Sequence, residues 1–285
     1  VIGTASRVYN IDQYVIDHPK ELEKILDETD GGEGLTIFVR ITTPPAQGTL
    51  YHLASKFGAS VDAAAAMLRE AKSRGCQVGI AFHVGSQCLD PDAYSVAIDL
   101  AAQAVEKAQV ELHALDVGGG FPAQYLGTNM PPLEEYMRTI EDAAKSIHLR
   151  RDCVLMCEPG RALVADGASL VTQVQLRKED KLYINDGIYG ALSETVQGGI
   201  KLPARMWRLK GEHAREYMDF TVSGPTCDSL DVLPYKIPLP ADIEEGDWIE
   251  IDRLGAYSNA NATRFNGFYP ETWITVHDDP IGHVK

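Results

Sequence analysis

Through roughly the first 165 positions, short apolar runs alternate with segments whose apolar residues recur at helical spacing. The runs at 13–16, 36–41, 77–84, 111–117 and 154–157 predict buried strands. Between them, Ser60 can cap a helix with Ala64, Met67, Leu68 and Ala71 on one face, closing near Gly75. Asp90-Pro91 opens another, carrying Ala97, Leu100, Ala101, Ala104 and Ala108. Pro131-Pro132 opens a third, with Leu133, Tyr136, Met137, Ile140, Ala144 and Ile147 on one side. Strand then helix, repeated, predicts parallel strands joined by right-handed crossovers.

An open doubly wound sheet and a closed eight-unit barrel both fit this α/β pattern. No GxGxxG follows a strand, which weakens the dinucleotide-binding form of the open sheet. Polar chemistry does follow successive strands: His83, then Gly118-Gly119-Gly120, then Glu158-Pro159-Gly160-Arg161. Functional residues at the C-terminal ends of consecutive strands are how a barrel builds its site.

From about residue 166 the pattern changes. Strands are predicted at 170–176, 181–184, 217–222, 247–251 and 273–276, without long helices between them. The expected organisation is a β/α domain over 1–165 and an all-β domain over 166–285.

Charge narrows the partners. With 26 basic against 41 acidic residues the formal net charge is −15, which argues against nucleic acid and against an anionic membrane surface. It is compatible with a cationic small substrate, and equally with simple solubility. No apolar run approaches the ~20 residues that a membrane span needs. Five cysteines without a close CxxC pair suggest a reducing, cytoplasmic setting. Cys153 and Cys157 flank a strand-like Val-Leu-Met, a spacing that does not offer two ligands on one face, so no metal site is expected.

Taken singly, the chemical candidates have plain explanations. His83 fits a satisfied strand-end histidine, the glycine run a tight turn, Glu158 and Arg161 a surface ion pair, and Cys227 an inert thiol. Three glycines after a buried strand, however, also let backbone N–H groups approach a phosphate unobstructed.

Together the segments resemble, in order and context, the ornithine/lysine decarboxylase branch of the fold-type III (alanine racemase-like) pyridoxal-phosphate enzymes. The matching runs are Lys56-Phe57-Gly58-Ala59, Phe82-His83-Val84-Gly85-Ser86, Leu115-Asp116-Val117-Gly118-Gly119-Gly120-Phe121-Pro122 and Glu158-Pro159-Gly160-Arg161. They continue with Asn185-Asp186-Gly187-Ile188-Tyr189-Gly190, Gly224-Pro225-Thr226-Cys227-Asp228, Gly255-Ala256-Tyr257 and Thr263-Arg264-Phe265-Asn266-Gly267-Phe268.

The resemblance implies a (β/α)8 TIM-type barrel followed by a β domain, and pyridoxal 5'-phosphate as cofactor. It implies that Glu158 pairs with the pyridine nitrogen and that His83 stacks on the ring. Ser86, Gly118, Gly119, Gly120, Gly160, Arg161 and Tyr257 would hold the phosphate, for which the planar guanidinium of arginine is well shaped. Cys227 would control protonation after CO2 leaves, and Asp228 would meet the distal ammonium of a basic amino acid. Phe265 would line the same interface, and Lys56 would pair with Asp231 of the partner subunit, giving a homodimer with shared sites. The implied reaction is decarboxylation of ornithine or lysine to a diamine, in polyamine biosynthesis.

Two departures stand out. The family's cofactor-binding lysine sits in an Ala-Val-Lys-like strand at the start of the barrel, and no such motif occurs in these 285 residues. Five barrel strands are predicted where closure takes eight, so the first three units, at ~30 residues each, are expected outside this sequence. Residues from about Ala5 onward resemble the fourth unit, with Glu21-Leu22 opening its helix. These residues alone are expected to be inactive. The Tyr-Asp pair of ornithine-specific members falls here on Gln197 and Gly198, with Glu194 as a nearby substitute. The alternatives are a decarboxylase of another diamino acid such as diaminopimelate, although that group shows Cys-Glu-Ser where Cys227-Asp228-Ser229 stands here, or a non-catalytic, antizyme-inhibitor-like regulatory relative.

Overall fold

The five apolar runs of the first half pair side by side in chain order. The computed structural model describes residues 1–277 apart from 30, 47, 52, 54, 55, 146 and 148–151. The chain divides into one unit of Val1–Pro122 with Met130–Gly160 and a second of Ala123–Asn129 with Arg161–Lys285.

The first unit runs α1 (Ile2–Tyr9), β1 (Gln13–Ile16), α2 (Pro19–Glu28), β2 (Thr36–Arg40), α3 (Val61–Ser73), β3 (Gln77–Ala81), α4 (Asp92–Ala108), β4 (Ala114–Asp116), α5 (Leu133–Ala144) and β5 (Val154–Met156). Its strands form one sheet in the order β1-β2-β3-β4-β5, every neighbouring pair parallel. Strand side chains alternate between faces. On one face Ile37, Val39, Ile80 and Leu115 are completely buried, and the apolar stripes of the helices supply Ala64, Leu68, Ala97 and Ala101, also at 0% exposure. Each such Leu or Ile contributes roughly 1.5–3 kcal/mol by leaving water. On the other face Phe38, Ala81 and Ala114 cluster with Met156.

Ser60 caps α3 through its hydroxyl, which accepts the Ala63 N–H, as its position predicts. The start of α2 differs from expectation. It opens at Pro19, with His18 as the cap accepting the Lys20 N–H, because proline suits the first helical position. Helix α1 carries no comparable starting signal and escaped the sequence reading.

The second unit runs α6 (Arg161–Val164), β6 (Leu170–Lys178), β7 (Lys181–Ile184), α7 (Ser193–Gln197), β8 (Ala204–Trp207), β9 (Tyr217–Ser223), β10 (Ile237–Pro240) and β11 (Trp248–Ile251). Its sheet has the order β10-β9-β7-β6-β11-β8. Every neighbouring pair is antiparallel except β7 with β9. The two end strands β10 and β8 also touch, so the sheet curls on itself. Leu182, Phe220, Leu239, Ile249 and Ile251 form its dry interior.

Two of these strands were not predicted. β10 contains Pro238 and Pro240, which read against a strand, yet it is a sheet edge, where proline is tolerated. The four-residue β8 is too short for a period to declare itself. Conversely, the strand expected at 273–276 is absent. Trp273, Ile274 and Val276 are 71%, 76% and 63% exposed and find no partner strand among the described residues; β-favouring side chains do not form a strand without one.

Candidate active site

Register decides which polar residues meet. Arg40 lies opposite Ala81, Ala81 opposite Asp116, and Asp116 opposite Met156. Two residues further along, just past the strand ends, come His83, Gly118 and Glu158. The charge of Arg40 is felt by both His83 and Glu158, and that of Asp116 by Glu158, so the four side chains gather at the C-terminal ends of β2 to β5.

His83 is held at both ends. Its Nδ1 accepts the Gly85 N–H at 3.0 Å, and its carbonyl accepts the Thr43 hydroxyl at 3.0 Å. Burial, and secondarily the charge of Arg40, pushes its pKa down to about 4. The ring is consequently neutral at physiological pH, with the remaining proton on Nε2. A Cβ at Gly119 would stand 3.1 Å from that Nε2, so glycine leaves the imidazole room.

The glycine run serves the protein first. A Cβ on Gly118 would lie 2.0 Å from the Phe82 carbonyl oxygen, and one on Gly120 would lie 2.4 Å from that of Gly85. Both residues have positive φ, 67° and 104°, a region that glycine enters without a steric penalty. All three carbonyls face inward: that of Gly118 accepts the Glu158 N–H at 2.8 Å, that of Gly119 the Tyr94 hydroxyl at 3.0 Å, and that of Gly120 the Cys88 N–H at 2.8 Å. Of the N–H groups, that of Gly118 donates to Asp116 at 2.8 Å. Those of Gly119 and Gly120 donate to no described residue. Two adjacent free donors make an anion cradle.

Glu158 as a residue is exposed. Its carboxyl is nevertheless raised above the usual range, by partial burial first and the charge of Asp116 second, while Arg40 opposes. Ser86 is buried, its backbone paired with Tyr51. At Gly160 a Cβ would meet no atom within 4 Å, so the packing of the protein does not itself require glycine there. Lys56 is exposed, with its ammonium 5.0 Å over the Phe57 ring.

The second unit holds the rest. Arg161 is 4% exposed; it donates to both oxygens of Glu194 at 2.7 and 2.9 Å and to the Tyr125 hydroxyl at 2.9 Å, and its guanidinium lies 4.6 Å over the Tyr257 ring. Glu194, a suggested partner for a substrate ammonium, is thus engaged by Arg161 through both oxygens. Cys227 is exposed and receives the Asn266 amide at 3.2 Å. Asp228 accepts the Tyr189 hydroxyl and, at 3.0 Å, the Leu230 N–H. The ring of Tyr189 packs 4.7 Å from that of Phe265.

Asp231, expected to meet Lys56 of a partner subunit, is 2% exposed. Its carboxylate accepts the Ile188 N–H and both the N–H and hydroxyl of Thr226, at 3.0, 3.1 and 2.7 Å. Here it clamps its own loop against the 187–190 turn, because a buried carboxylate needs every donor that it can find.

A family profile described as the pyridoxal binding domain of pyridoxal-dependent decarboxylases matches residues 4–165. The chain belongs to the pyridoxal-dependent decarboxylases. The lysine/ornithine decarboxylase of Selenomonas ruminantium is 33% identical to it over 97% of this chain and 69% of that protein. Among solved structures, the arginine decarboxylase of Paramecium bursaria Chlorella virus superposes with a TM-score of 0.81 at 29% identity, covering 94% of this chain and 74% of that one. The lysine/ornithine decarboxylase of Vibrio vulnificus, complexed with putrescine, gives 0.75 at 31%, over 92% and 68%. This decarboxylase chain spans about two-thirds of the length of the curated relatives it matches, 69%, 65% and 63% for three of them.

Pyridoxal phosphate, the family's cofactor, fits the residues present in the first unit: free N–H donors at Gly119 and Gly120 for an anion, a neutral imidazole face, and a carboxylate at Glu158. Sequence reasoning assigned no role to Arg40, Asp116, Tyr189 or Asn266. Arg40 had only its strand parity as a signal, whereas the other three lie inside matched motifs.

Proposed function

We propose that the parent protein binds pyridoxal 5'-phosphate and decarboxylates a basic L-amino acid, ornithine or lysine, to the corresponding diamine, in the service of polyamine biosynthesis. The observation that carries this reading is the pair of unengaged N–H groups at Gly119 and Gly120 on the face shared by His83 and Glu158.

When bound, the cofactor supplies an electron sink for the bonding pair left as CO2 departs. The chain's own residues make that possible. Glu158, as a carboxylate, would hold a proton at the ring nitrogen, and burial and the charge of Asp116 make it a stronger base than an ordinary glutamate. His83, neutral and fixed through Nδ1, offers a flat face without a competing charge. Gly118, Gly119 and Gly120, with Ser86 and Gly160, are the first unit's proposed phosphate group. Arg161 and Tyr257 are proposed as the second unit's contribution; Arg161, fixed by Glu194, supports the Tyr257 ring.

In the second unit, Cys227 is the proposed proton donor to the carbon that loses CO2, with Asn266 orienting its sulfur. Asp228, held low in pKa by the Tyr189 hydroxyl and the Leu230 N–H, stays anionic and suits a distal ammonium. The exposed Cys227 and Phe265 are proposed to face a partner subunit in a cytoplasmic homodimer.

The test is the complete protein with its visible absorbance recorded, followed by CO2 release from ornithine, lysine and arginine. A cofactor band with diamine formation is expected. Absence of any band sinks the cofactor reading and favours a regulatory relative, whereas a band without release from these three favours another diamino acid such as diaminopimelate.

A further inference from the structure

β4 ends in a buried carboxylate. Asp116 is 6% exposed and stands on the same sheet face as Glu158, one pleat behind it, since its register partner is Met156. The two are joined through Gly118 by two hydrogen bonds, one to the Asp116 side chain and one within the backbone. Asp116 Oδ1 accepts the Gly118 N–H at 2.8 Å, and the Gly118 carbonyl accepts the Glu158 N–H at 2.8 Å. The relay turns Gly118 into its positive-φ conformation, and the chain leaves that turn with the N–H groups of Gly119 and Gly120 unengaged.

We propose that Asp116 is a positioning residue with two separable effects: its oxygen sets the glycine turn that exposes the anion cradle, and its charge strengthens the hold of Glu158 on a proton. The second effect rests on the proposed ring-nitrogen role of Glu158; the first does not. Two like charges on one face disfavour ionisation of either, and a more basic carboxylate accepts the stronger hydrogen bond from a pyridinium N–H. The charges bearing on Glu158 are those of Asp116 on β4 and Arg40 on β2, while Glu158 in turn raises its neighbour Cys157. Burial and Asp116 raise the Glu158 carboxyl and Arg40 lowers it; burial likewise raises Asp116, against the pull of the Gly118 N–H. A purely structural aspartate would serve equally well as asparagine, which retains the accepting oxygen.

The experiment compares Asp116→Asn and Asp116→Ala in the full chain. The titration of Glu158 is followed by carboxyl 13C NMR in the cofactor-free protein, with Glu158→Gln assigning the signal. In Asp116→Asn the Glu158 midpoint should fall, equivalent to a roughly three- to tenfold lower proton affinity, with thermal stability close to that of the parent. In Asp116→Ala, stability and affinity for inorganic phosphate should fall together as the turn is lost. An unmoved Glu158 midpoint in Asp116→Asn overturns the charge effect, and parent-like phosphate affinity in Asp116→Ala overturns the turn effect. Both readouts stand without the cofactor, so failure of the chain to take up pyridoxal phosphate would count against the proposed function alone.

Discussion

Arg161 and Glu194 meet fork to fork, with Nη1 2.7 Å from Oε2 and Nη2 2.9 Å from Oε1, and their side chains are only 3% and 10% exposed. At such burial the pair is held by geometry and by the cost of leaving either charge alone. Glu194→Ala should destabilise the protein by about 3–5 kcal/mol, whereas a double replacement with apolar residues of similar volume should recover most of it. Denaturant midpoints measured at constant slope provide the check. A loss below about 1 kcal/mol for the single variant would mean that water already reaches the pair.

Two glycines of the proposed phosphate group should both weaken cofactor binding when replaced by alanine, but only one should cost stability. Gly118→Ala forces a Cβ to 2.0 Å from the Phe82 carbonyl at a left-handed φ that itself costs roughly 1–2 kcal/mol. It should lower the melting temperature and weaken cofactor retention together. Gly160→Ala meets nothing within 4 Å, so stability should persist while affinity for pyridoxal phosphate falls about tenfold, or about 1.4 kcal/mol. Unchanged affinity in Gly160→Ala would remove that residue from the phosphate group.

Acid should find His83 before it finds most carboxylates. Its pKa is depressed from 6.5 to about 4, so between those values the unfolded chain binds a proton that the folded chain refuses. Its contribution is fully present above about pH 6.5 and is lost as pH falls toward 4, on the order of a few kcal/mol in total. Replacing His83 by Gln should flatten the stability profile across that window. Direct NMR titration of the ring gives a second measure, and a midpoint near 6.5 would contradict the burial that sets it.

Tyr189 should act on substrate binding through Asp228. Its hydroxyl is the leading cause of the low Asp228 pKa, ahead of the Leu230 N–H. In Tyr189→Phe the carboxyl should return toward its ordinary range, so the acid-side rise in KM for a basic amino acid should begin at higher pH, with kcat at neutral pH little changed. Superimposable KM profiles for parent and variant would show that Asp228 does not depend on this bond.

The alternating strand and helix signals were legible because burial on one face imposes a fixed period. β2, β3, β4 and the cap at Ser60 fall where that period puts them, whereas Val15 on β1 and Val154 and Leu155 on β5, the two outer strands, are exposed instead of buried. Also legible were His83, Glu158 and the glycine run, which follow successive strands and form motifs that few other chemistries would assemble. The edge strand β10 and the unpaired 273–276 segment were not legible, since pairing depends on a neighbour that local composition does not name.

Residue order alone carried the family and the strand–helix alternation of the first unit. Which of the candidate residues meet was settled by contacts between distant segments. Strand register set Asp116 behind Glu158 and Arg40 beside His83, and burial committed Glu194 to Arg161 and Asp231 to its own loop. The physical reason is that a residue's chemical type is local, whereas its charge state and free hydrogen-bonding capacity depend on neighbours brought from distant parts of the chain.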